Sequence, residues 1–175
     1  MGDDFLSYLE RLEMMAFFSA YPLIYAIVYA VAGNSKRQML KKFPSFLPYA
    51  YALVGTLYLG LQLKNLYPDY SFENIRLSVQ QPFLKIWAFL SLFFWIPAFG
   101  KKKVLSLFHS LVFFFFLVRD LFLQSSVPSA DKNIVRNDMK IYTDSLLLNL
   151  GALILVILIS LLIGRLKKQK RSPRF

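Results

Sequence analysis

The chain contains no cysteine. That excludes disulfides, thiolate metal sites, iron–sulfur clusters, covalently attached c-type haem and thiol redox chemistry. It contains one histidine, His109, so a bis-histidine haem site cannot be completed within one chain. Charge is scarce: 18% of the 175 residues, where a soluble domain carries about a quarter. Acid is missing altogether from three gaps that are rich in base. Motifs of enzymes are missing too. There is no Gly-x-Ser-x-Gly, no phosphate-binding Walker loop, no His-Glu-x-x-His and no pair of carboxylates within an apolar run. A Ser–His dyad needs facing geometry that one helix does not supply. Enzyme activity therefore has no support in the sequence, and no cofactor or metal is expected. The apolar runs are continuous and do not alternate with period two, which argues against a β-barrel.

What is present is hydrophobicity in blocks. Hydrophobic residues make up 57% of the chain and aromatics 17%, with a mean hydropathy of +0.47. A spanning helix needs about 20 apolar residues. Five runs approach that length: about 14–32, 46–63, 83–99, 104–123 and 145–163. Pro22 is a kink candidate in the first, and Pro82 suits the first turn of the third. Asn149 is the one strongly polar interior residue of the fifth. The expectation is an all-α integral membrane protein, a single five-transmembrane-helix bundle covering 1–175, with a basic tail at 165–175.

The charges orient it. Linker 34–45 carries Lys36, Arg37, Lys41 and Lys42; turn 100–103 carries three lysines; the tail carries six more bases. These thirteen of the 21 basic residues lie in alternate gaps, and all ten acids lie elsewhere. Lys and Arg are retained on the cytoplasmic side, so the expected topology is N-terminus outside and C-terminus cytoplasmic, in a bacterial-type inner membrane. The net charge of +11 then belongs to membrane flanks, with anionic lipid headgroups as partners and not nucleic acid. The first residues are acidic, unlike a signal peptide. Loop 64–82 has a capped stretch near Asp69 and Ser71 that predicts a short interfacial helix; 124–144 reads as loop. Turn 100–103 is short enough to force an antiparallel hairpin.

Polar residues inside or beside the runs are the candidates for function, because an ionisable group in a span is costly unless it pairs or snorkels. His109 and Asp120 are three helical turns apart and share a face with Ser106 and Ser110, while Arg119 points away. This stripe allows a proton or ligand path; the plainer expectations are a structural hydrogen bond for His109 and an ion pair or snorkelling for Arg119 and Asp120. Gln62, Lys64, Lys85 and Asp144 lie at the same boundary as Arg119 and Asp120, and together they form a candidate polar site for a lipid headgroup, a quinone or a partner. Small residues Ala16, Ala20, Ala26, Ala30 and Gly33 form a candidate helix-packing stripe. Tyr49, Tyr51, Tyr58, Tyr67, Tyr70, Trp87 and Trp95 read as interfacial aromatics.

The stretch Leu59-Gly60-Leu61-Gln62-Leu63-Lys64-Asn65-Leu66-Tyr67-Pro68-Asp69 resembles the first-helix exit of DoxX/MauE-type four-helix membrane proteins. In them a Gly-containing span ends in a Lys near a Pro-Asp turn. The tight hairpin at 100–103 fits the same layout, which would cover about 46–164. The resemblance implies a small redox- or lipid-associated membrane protein. The residues themselves point first to a non-catalytic membrane subunit that assembles with other subunits or with itself. A channel or proton path formed by oligomerisation around the fourth run is a third expectation.

Overall fold

A computed structural model describes residues 2–125 and 132–171, with side chains over most of that range. The described residues are all helical, with no strand. Eight helices follow in order: α1 (Gly2–Phe18), α2 (Tyr21–Asn34), α3 (Leu47–Leu66), α4 (Phe72–Ser78), α5 (Pro82–Phe89), α6 (Pro97–Gly100), α7 (Lys103–Ser125) and α8 (Lys132–Arg171). Tight 3-10 stretches lie at Leu40–Ser45 and Leu90–Trp95. Three helical segments are long and apolar enough to cross a membrane: Ser7–Asn34, Lys103–Leu123 and Met139–Leu166.

The first of these is α1 and α2 joined end to end through a break at 19–20. Pro22 explains the break. It has no N–H, and its ring collides with the carbonyl one turn back, so the backbone opens between Phe18 and Tyr21. The rod starts well before residue 14, so Glu10, Arg11 and Glu13 lie on helix and not in a solvated tail.

α3 is the centre of the bundle. Its 20 residues have spanning length, about 30 Å, yet its composition is not apolar enough to rank with the other three. Leu47, Tyr51, Ala52, Val54 and Tyr58 are all fully buried. Protein covers the face of this helix that carries Tyr51 and Tyr58, so it can hold tyrosines that lipid would not solvate. Tyr51 and Tyr58 accordingly belong to the core and not to an interfacial belt. Phe18 stacks on Phe113 at 4.9 Å and meets Tyr51 and Tyr58 edge-on, tying α1, α3 and α7 into one aromatic core.

The third apolar run, about 83–99, is not one continuous helix. α5 tightens into the 3-10 stretch, and Ile96 is extended before Pro97, as the residue before proline prefers. The apolar stretch Pro82–Trp95 is 14 residues, short of a straight span. Gly55 permits its close docking on α3: a Cβ there would overlap the Ser91 hydroxyl, which donates to Ala88 O at 2.6 Å. α4 forms as its cap predicts, with Ser71 Oγ accepting from Asn74 N and Asp69 fixing Ser71.

Candidate functional site

Buried polar groups gather at three levels of the bundle. At the level of the helix break, α8 supplies the missing partners. Asn149 Nδ2 donates to Phe17 O at 2.7 Å and to Ser145 O at 2.9 Å. Ser145 Oγ accepts from Ala20 N at 3.2 Å. Both side chains are buried. A proline break is tolerated in a membrane helix when a neighbour re-satisfies the freed backbone, and here the polar exception in the last span is that neighbour.

At the second level, His109 lies between α3 and α5. Its Nε2 faces Trp87 O at 2.8 Å, and a carbonyl can only accept, so Nε2 carries the proton. Nδ1 then accepts from the Tyr51 hydroxyl at 2.7 Å. Trp87 Nε1 donates back to His109 O at 3.1 Å, and the two rings stack 5° from parallel at 4.8 Å. Both ring nitrogens of a neutral imidazole are thus hydrogen-bonded to protein groups. Ser106, a turn earlier on the same face, pairs with the Tyr21 hydroxyl at 2.8 Å.

The third level is ionic. Glu10 Oε1 meets Lys85 Nζ at 2.6 Å, and Glu10 Oε2 accepts from the backbone N–H groups of Gln80 and Gln81 at 3.0 and 2.7 Å. Its carboxylate therefore closes the chain just ahead of α5. Gln62 Nε2 donates to Glu13 Oε2 at 3.1 Å, and Gln81 Nε2 donates to Ser7 Oγ at 2.6 Å. Arg11 Nη2 reaches Asp120 Oδ2 at 3.1 Å. Beside these groups opens a cleft of about 370 Å³, lined among others by Glu10, Glu13, Gln62, Asn65 and Lys85. Tyr58 lies one turn before Gln62 on α3; its hydroxyl is buried with no hydrogen-bond partner among the described residues.

Of the residues singled out from sequence, Gln62, Lys85 and Asp120 are brought into this ionic level. Arg119, Lys64 and Asp144 are exposed and make no part of it. His109 is on the same buried face of α7 as Asp120 but eleven residues away, about 16 Å along the axis, with its own partners. In the small-residue stripe, Ala20 is buried and Ala16 half-buried, while Ala26, Ala30 and Gly33 are exposed. Sequence reasoning missed Glu10, Arg11 and Glu13. The signal was available: Leu9-Glu10-Arg11-Leu12-Glu13-Met14-Met15 continues the helical register of the first run, placing Glu10 and Met14 on one face.

Among the described residues, no three of His, Asp and Glu converge as a metal ion would require. No protein-family model matches the chain, and neither a curated protein nor a solved structure matches it.

Proposed function

We propose that the protein is a non-catalytic integral membrane subunit: five crossings, N-terminus outside, C-terminus cytoplasmic, in a bacterial-type inner membrane. The segment 82–100 is the broken third crossing and α3 the shielded second. One observation carries the reading. Most of the buried polar side chains of the three levels pair with one another or with backbone, the Tyr58 hydroxyl being an exception, while the apolar outer surface is left open. In the most apolar stretch of Met139–Leu166 only 17% is buried, against 50% in Ser7–Asn34. Leu147, Leu158 and Leu162 are all more than half exposed. Such a surface accepts lipid or a neighbouring subunit, and the exposed Ala26, Ala30 and Gly33 allow close helix approach on α2.

Two experiments test it. The chain has no cysteine, so single-cysteine variants report topology without background. Cysteine at Lys36, Lys102 or Arg165 should be labelled from the cytoplasm only, and at Tyr70 from outside only; any other pattern refutes the topology. Mild-detergent extraction from native membranes should yield a stoichiometric complex, whereas a stable monomer with no companions would remove the subunit reading.

A second reading is favoured by the ionic cleft: a small redox- or lipid-linked membrane protein with a polar site in the outer leaflet. A bound quinone or lipid that is retained on purification and lost in Glu13→Ala would support it. A proton path along α7 is disfavoured by the double engagement of His109.

A further inference from the structure

A second concavity sits at the opposite end of the bundle from the ionic cleft, where the 3-10 stretch Leu40–Ser45, the hairpin after α6 and the late turns of α8 meet. Its volume is about 460 Å³. Lys101 and Lys103 stand at its rim with Ser45, and no Asp or Glu lines it. α7 begins at Lys103, so the positive end of that helix dipole adds to the field of the two ammonium groups. Below the rim the wall changes character. Val156, Ile159 and Ile163 of α8 present an apolar face, with Ile159 and Ile163 nearly half exposed. Tyr49 and Trp95 flank the boundary. Trp95 is 46% exposed, and its Nε1 is held by Thr56 Oγ1 at 2.9 Å, which fixes the indole at the edge. Gly100 lines the concavity, and a Cβ there would press on Phe94 O and on the Tyr49 ring.

We infer that this concavity is a binding site for one anionic glycerophospholipid, its phosphate held by Lys101 and Lys103 and an acyl chain lying along Val156 and Ile159. A soluble anion would use the rim and leave the apolar wall idle; a zwitterionic lipid would use the wall and gain little from the rim. An anionic lipid matches both parts. The site deepens the reading of the basic gaps as membrane flanks. It depends on this end lying at a bilayer surface, not on which leaflet that is.

The test uses the full-length chain in symmetric nanodiscs, where leaflet assignment plays no part. The topology can therefore fail while the site survives, and the reverse. Trp87→Phe leaves Trp95 as the single tryptophan. Brominated phosphatidylglycerol should quench Trp95 as strongly as on the order of tenfold more brominated phosphatidylcholine, because each Lys near the surface favours anionic lipid. Native mass spectrometry of the unmodified chain, which does not need Trp87→Phe to fold, should retain one anionic lipid per chain. K101E/K103E should abolish both preferences. Equal quenching by the two lipids, an adduct surviving K101E/K103E, or competition by millimolar inorganic phosphate as effective as by lipid would each overturn the assignment.

Discussion

Replacing Asn149 by Leu removes the donor that α8 lends to the broken first rod. The side chain is 2% exposed, so water cannot substitute for it. Phe17 O loses a 2.7 Å bond and Ala20 N keeps only a serine whose own position Asn149 helps to set. Leaving a buried backbone carbonyl unpaired costs about 1–3 kcal/mol. One term runs the other way: Asn149 Oδ1 is itself buried without a partner, and Leu takes it away. Interhelical hydrogen bonds in membranes average about 0.6 kcal/mol and reach about 1.7. The expected loss for Asn149→Leu is therefore about 1–2 kcal/mol, read from SDS-induced unfolding in mixed micelles by tryptophan emission. The stronger test is a cycle with Pro22→Ala, which restores an N–H and lets the rod close. In that background Asn149→Leu should cost at least about 0.5 kcal/mol less. An unchanged cost in both backgrounds would refute the idea that Asn149 serves the break.

The ionic level makes a larger prediction. Glu10→Gln or Lys85→Met alone should destabilise by about 3–5 kcal/mol, since each strands a buried charge, while the double variant should recover much of that; recovery absent from the same unfolding assay would show that the pair is not the unit. Gly55→Val should weaken the docking of Pro82–Trp95 on α3 by about 1–3 kcal/mol through overlap with Ser91, and Ser91→Ala should relieve part of it. His109→Leu should shift Trp87 emission and reduce stability by about 1–3 kcal/mol without changing proton flux in liposomes; a flux that falls with this substitution would return His109 to a transport role.

Much of this molecule can be read from spacing. The three segments of spanning length, the Pro22 break, the Ser71 cap and the shared face of Ser106, His109 and Asp120 all follow from local pattern. The third run read as continuous because its apolar length hides Pro97, whose effect is conformational and not compositional. The aromatic belt failed at Tyr51 and Tyr58 for a different reason. Whether a tyrosine in a span faces headgroups or protein depends on which helix becomes central, and no single helix encodes that. Glu10, Arg11 and Glu13 precede the first apolar run and drew no site assignment, because their partners, Lys85, Asp120 and Gln62, lie 49 or more residues away in the sequence. Charge is legible along a chain, but pairing is not.

The patch between α8 and the first rod also has a meaning in time. Asn149 and Phe17 are 132 residues apart, and chains elongate at about 5–20 residues per second, so the opening at Pro22 waits roughly 7–26 seconds for its donor. The first helix to be made is completed by the last. During that interval the nascent protein holds an unfinished backbone inside the membrane, which is the kind of defect that quality-control proteases meet first. A ribosome-released fragment ending at residue 144 should therefore be cleared faster than one ending at residue 164 when both are followed by pulse–chase, and equal half-lives would show that the gap is closed by something other than α8.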